Sequence, residues 1–168
     1  DFFKFVKSFE PQRRVFKVLQ FNTERFDNIE IFNYGIDELK RTTIFNIPFN
    51  NTGSGSEYFS FENSYNEEVL LKPLENKFFK NIGLIKIDVE GNEYGVLKTL
   101  NSLFKISSPL IILELHNNHP KKTEILNFLK SNNYDEVFLI ETPKNRIHRV
   151  FNLIFRSSKK LIKLIKLK

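Results

Sequence analysis

A chain of 168 residues with 40% hydrophobic and 27% charged residues can bury a core and is too apolar for a disordered polymer, so one globular domain is the starting expectation. It contains no cysteine, which excludes disulfides, thiolate metal sites and cysteine nucleophiles, and fits a reducing compartment. The net charge of +6 is local: six basic residues and no acid fall between Arg156 and Lys168, and the other 20 Lys and Arg face 20 Asp and Glu, which is not the spread basic face of a nucleic-acid binder.

No run of 18 apolar residues predicts a spanning helix, and Asp1 to Lys7 does not read as a signal peptide, so a cytoplasmic location is expected. The chain has no methionine, which leads to the expectation that residues precede Asp1.

In chain order, Phe5 to Pro11 reads as a short strand ending at an acid and a proline. Val15, Phe16, Val18 and Leu19 are spaced for a helix over Gln12 to Phe21, with Pro11 at a tolerated start. Asn28 to Tyr34 alternates as a second strand, Gly35 to Asp37 reads as a turn, and β-branched Thr42 to Ile47 as extended chain. Asn50 to Ser56 is a loop. Ile82 to Val89 is a near-continuous apolar run, as in a buried parallel strand. A helix follows with Tyr94, Val96, Leu97 and Leu100 on one face. Pro109 to Leu115 is another buried strand, Thr123 to Leu129 a helix, and Val137 to Ile140 and Val150 to Phe155 the closing strands. Strands alternating with helices predict an α/β fold with a mostly parallel sheet, whose ligands sit beyond the C-terminal strand ends. Glu10, Asp88 and Glu114 end three of those strands, which places three carboxylates along one sheet edge.

Leu84-Ile85-Lys86-Ile87-Asp88-Val89-Glu90-Gly91-Asn92-Glu93, with Val96-Leu97-Lys98 after it, closely resembles the signature of FkbM-family methyltransferases. Ser8-Phe9-Glu10-Pro11, then Phe16, Leu19 and Asn22, resembles that family's second strand and helix, and Pro109 to Glu114 its fifth strand. The resemblance runs to about Phe155. It implies a Rossmann-like class I methyltransferase sheet of seven strands, the last antiparallel, with S-adenosylmethionine as cofactor. It implies that Glu10 accepts hydrogen bonds from the cofactor's ribose hydroxyls and that Asp88 lies near the sulfonium and the methyl in flight. It implies that Glu90, Glu93 and Glu114 line the acceptor side. The family's acceptors are mostly hydroxyls of sugars and other metabolites.

One departure stands out. The family's first strand and its glycine-rich loop should precede Glu10 by about 20 to 30 residues, yet the chain begins nine residues before it. Gly53-Ser54-Gly55 precedes no helix pattern and is not read as a nucleotide loop. The expectation is therefore an N-terminally truncated domain, with strand 1 and the first helix absent, exposed sheet edges, and reduced or no activity of the isolated chain.

A hydroxyl is a poor nucleophile near neutral pH, so a base is expected. The candidates are Asp88, Glu114, His116 and His119; Glu114 and His116 share one face of an extended segment. Asp88, Glu114 and His116 are taken as the catalytic set. They also form an alternative divalent-metal set, although no metal is assigned. His148, between Arg146 and Arg149, reads as surface. Residues 1–156 are read as the partial methyltransferase domain and 157–168 as a basic amphipathic tail suited to peripheral contact with anionic lipid. The competing reading is a non-catalytic Rossmann-like binding or assembly module with a membrane-surface tail. A nicotinamide-dependent enzyme is a third, weakened by the missing glycine fingerprint.

Overall fold

Strand register determines which side chains reach a site, and the computed structural model describes that register for residues 3–116, 118–139 and 150–157. The chain divides into two compact units, Asp1–Leu74 and Glu75–Lys168. His148 and the basic stretch 158–168 lie outside the described residues, and with them the expected tail.

In the first unit, β1 (Val6–Phe9) and β2 (Ile29–Phe32) pair in parallel, linked by helix α1 (Arg13–Thr23). The helix begins two residues after Pro11, and its leading N–H groups meet carboxylates. Gln12 N–H donates to Glu10 Oε1 at 2.7 Å and Arg13 N–H to Glu67 Oε1 at 2.7 Å. Helix starts leave such donors unsatisfied, so these two contacts define the boundary. Phe9 stacks on Phe32 with ring centroids 4.9 Å apart, and Tyr34 tilts against both. The apolar spacing predicts α1 correctly, but none of its residues is buried.

A second sheet of this unit joins β3 (Gly35–Ile36), β4 (Arg41–Pro48) and β5 (Ser64–Lys72) in the order β3-β5-β4. Gly35–Ile36, expected as a turn, lies in parallel register with Leu71 and Lys72. Glycine permits it: a Cβ at position 35 would stand 2.6 Å from Leu71 Cδ2. β4 runs antiparallel to β5 from Arg41↔Leu71 to Pro48↔Ser64, burying Ile47, Val69 and Leu71. The intervening loop is tied back by Arg41, whose Nε donates to Asp37 Oδ2 at 2.7 Å and Nη1 to Glu57 Oε2 at 2.7 Å. Hydrogen bonding to Arg41 holds the Glu57 carboxyl below its ordinary pKa against the opposing effect of burial, while burial and Glu57 push Tyr58 up to about 12.

In the second unit, β6 (Leu84–Ile87), β7 (Leu110–His116), β8 (Tyr134–Leu139) and β9 (Val150–Ser157) form a sheet in the order β6-β7-β9-β8. β6 and β7 are parallel, and β9 is antiparallel to both β7 and β8. Strand β9 thus lies between β7 and β8. Between β6 and β7 the single expected helix is two: α2 (Glu93–Thr99) and α3 (Asn101–Ile106), meeting at Leu100. Helix α4 (Lys122–Ser131) precedes β8. Ile111, Leu113 and Leu115 alternate into the core of this unit beside Leu97, Leu103 and Leu129. Tyr134 is buried there, its hydroxyl donating to Pro109 O at 2.9 Å, and burial raises its pKa.

Two expectations change. The described strands form three sheets, and their six pairings divide evenly between parallel and antiparallel. Glu10 therefore ends a strand in a different sheet from Asp88 and Glu114. The fold is mixed α/β, with a two-stranded parallel pair, a three-stranded mixed sheet and a four-stranded mixed sheet. Among the described residues no helix is long and apolar enough to cross a membrane.

Leu113 is fully buried on the central strand β7. Leu113→Ala is expected to cost about 2–5 kcal/mol of unfolding free energy, read as a lower urea midpoint. An unchanged midpoint would remove β7 from the centre of its unit's core.

Candidate active site

The register Ile87↔Leu113 brings the ends of β6 and β7 side by side, so Asp88 and Glu114 are neighbours across the sheet. Period-two alternation then puts Glu114 and His116 together on the less buried face of β7, opposite Leu113 and Leu115. Beyond β6 the chain makes a tight turn through Asp88, Val89, Glu90 and Gly91. Glu90 has φ 49° and Gly91 φ 113°, both in the left-handed region. For glycine this costs little, but a glutamate there is strained by roughly 1–3 kcal/mol unless its surroundings hold it. The turn sends the Glu90 carboxylate towards β7, where its Oε2 lies 3.4 Å from His116 Nε2.

Asp88 is exposed and paired with Lys86 on the same strand. Glu114 is half-buried, and its pKa is raised: burial contributes most, the Asp88 and Glu90 carboxylates add to it, and Lys86 and His116 oppose it. The second unit thus gathers Asp88, Glu90, Glu114 and His116 at adjacent strand ends. Such a cluster can bind a hydroxyl group and accept a proton from it. Among the described residues, no group of three or more His, Asp or Glu side chains is placed to hold a metal ion.

Glu93, expected on the acceptor side, is instead 1% exposed at the start of α2. Its Oε1 accepts the Gly91 N–H at 3.0 Å and its Oε2 lies 2.9 Å from His119 Nε2. That second approach is close without being an aligned hydrogen bond, because the His119 Nε2–H points at the Gly91 carbonyl, 3.1 Å away. His119 Nδ1 accepts the Lys121 N–H at 3.1 Å, which assigns the ring proton to Nε2. His119 was read from the sequence as a candidate base; the structure buries it at 6% exposure against this turn.

In the first unit, Glu10 follows β1 and is largely withdrawn from water. Burial raises its carboxyl pKa, the Gln12 N–H lowers it, and Glu67 adds a smaller rise. Its Oε1 is fixed by that N–H, while among the described residues Oε2 has no protein hydrogen bond.

Residues 6–136 match the family described as Methyltransferase FkbM domain. The chain belongs to the FkbM methyltransferase domain family. No curated protein matches it. Among solved structures it is similar to the methyltransferase FkbM from Methylobacillus flagellatus KT, with a TM-score of 0.63 and 20% identity. That likeness covers 91% of this chain and 36% of the other, so the chain spans about a third of the length of the FkbM protein it resembles. At this identity the likeness establishes the mixed α/β fold.

Because the fold raises the pKa of Glu114 above the ordinary carboxylate value of 4.5, its stabilising contribution is present below that value and is lost as pH rises through the raised one. Glu114→Gln removes that loss. The variant's melting temperature relative to the parent is therefore expected to be about 1 to 3 °C higher at pH 7 than at pH 4, a small effect because water screens a half-exposed group. Thermal unfolding followed at both pH values tests this, and an equal difference at the two would contradict it.

Proposed function

We propose that this chain is part of an S-adenosylmethionine-dependent methyltransferase that methylates a hydroxyl on a saccharide or similar metabolite. The observation that carries the reading is the Glu90–His116 pair beside Glu114 at the ends of β6 and β7, in a chain of the FkbM family.

Glu10 fits a ribose partner. One carboxylate oxygen is immobilised by the Gln12 N–H, and the other is left to accept hydroxyl donors from a partly desolvated position where such bonds are strong. When bound, the cofactor supplies a methyl group on a positively charged sulfur, already activated for transfer. Asp88 is the carboxylate that the family resemblance assigns to that positive charge. For the acceptor, the His116 imidazole takes the hydroxyl proton and Glu90 orients the ring from 3.4 Å. Glu114, with its raised pKa, is suited to hydrogen-bond the acceptor in either protonation state. A cytoplasmic setting, with peripheral membrane contact through residues 157–168, completes the proposal and rests on the charge pattern of that tail.

Titration calorimetry of S-adenosylmethionine into the protein expressed from its native reading frame, and into residues 1–168, tests the reading. Micromolar binding is expected of the protein from its native reading frame and weaker binding of residues 1–168, with Glu10→Ala weakening the former about 10- to 100-fold, the worth of a charged hydrogen bond. His116→Ala is expected to leave cofactor affinity unchanged and to slow labelled-methyl transfer to a panel of monosaccharides about 10²- to 10⁴-fold. A folded protein that binds no cofactor would overturn the proposal in favour of a non-catalytic binding module.

A further inference from the structure

Both backbone polar groups of Gly91 are held by buried side chains from elsewhere in the second unit: the N–H by Glu93 Oε1 at 3.0 Å and the carbonyl by His119 Nε2 at 3.1 Å. Glu93 and His119 are 1% and 6% exposed. They also face each other, with Oε2 and Nε2 2.9 Å apart. The residue just before Gly91 is Glu90, whose φ of 49° is the conformation that aims its carboxylate at His116. A left-handed glutamate persists only where neighbouring contacts over-determine it. Gly91, the next residue, supplies two such contacts.

We propose that Glu93 and His119 are positioning residues that clamp the Gly91 peptide and thereby keep Glu90 turned onto His116. Neither touches the acceptor in this assignment; both act through Gly91. The inference rests on the functional reading above for its chemical meaning, but the clamp itself is a structural claim that can fail separately. It also explains a buried acid and a buried imidazole that the chemistry leaves unused.

The test uses the whole protein and two readouts that do not need the acceptor. The first is site-resolved amide exchange at Gly91. Glu93→Ala, by removing the acceptor of that N–H, is expected to speed exchange there about tenfold, the factor for one lost hydrogen bond, with Leu113 and Leu115 on β7 unchanged. The second is the ring resonance of His116, readily assigned because the chain has three histidines. It is expected to move in Glu93→Ala and His119→Ala in the same direction as in Glu90→Gln. His119→Gln, which retains a donor for the Gly91 carbonyl, should restore most of the parent signal. Leu129→Ala, a buried change in α4 that lowers stability without touching the turn, should leave the signal in place. The proposal is overturned if Gly91 exchange is unaltered, if β7 loses protection together with it, or if His119→Gln behaves like His119→Ala. Absence of S-adenosylmethionine binding by the parent, with these signatures intact, would instead sink the methyltransferase reading and leave the clamp standing.

Discussion

A carboxylate removed from water must find partners for its oxygens or lose its charge, and Glu93, the most buried acid among the described residues, has an aligned donor for one of its two oxygens. Its solution is local and long-range at once. One oxygen turns back two residues to the Gly91 N–H, and the other faces a histidine 26 positions further on. The turn after β6 can therefore take only a narrow set of shapes. Asp88 is left outside, Glu90 is sent across to β7, and α2 starts where Glu93 enters the core. Loosening that one carboxylate would release each of those consequences together.

The same device recurs in the first unit. Glu10 and Glu67 each accept a backbone N–H at the start of α1, and Asp37 and Glu57 are engaged by Arg41. Acids in this protein are used first as acceptors that shape the backbone, and what chemistry they offer is what remains afterwards. For Glu10 the remainder is one oxygen. For Glu114 it is a carboxyl crowded by Asp88 and Glu90 in a partly dry position, so its pKa rises. The two cases share their largest cause, burial, and differ in what opposes it. Glu10 is raised by burial, with a smaller push from Glu67, against the pull of an N–H, whereas Glu114 is raised by burial and by Asp88 and Glu90 against the pull of Lys86 and His116.

Which features were legible in the sequence follows from how local they are. The apolar runs identify β6 and β7 as strands without further information, although β6 buries only Ile87, and the two-residue spacing of Glu114 and His116 correctly places them on one face. β5 is hard to read from sequence because Asn66-Glu67-Glu68 breaks the apolar pattern; the short apolar run Val69-Leu70-Leu71 is the available signal. α2 and α3 share one apolar stripe, so their break at Leu100 leaves no mark on periodicity. The insertion of β9 between β7 and β8 is a matter of pairing across the sheet, and no local pattern in the sequence marks it. The burial of Glu93 is not legible in the sequence for a related reason. A glutamate two residues past a glycine looks like a surface acid until the histidine that buries it is known, and His119 lies on another loop.

That histidine is brought there by register. β6 and β7 run parallel with Ile87 opposite Leu113, so chain leaving one strand end must pass chain leaving the other. Gly91 is four residues past Ile87 and His119 six past Leu113, each within the reach of a short loop. A slip of one residue in that pairing would exchange the two faces of β7, carrying Glu114 and His116 into the core and Leu113 and Leu115 out of it. Such a slip is opposed by the whole apolar face of the strand, which is worth several kcal/mol on roughly 25 cal/mol per Å² of buried apolar area. The hydrophobic pattern of β7 thus does more than stabilise its sheet. It selects the single alignment in which Glu90 can meet His116 and the Gly91 peptide can be held from both sides.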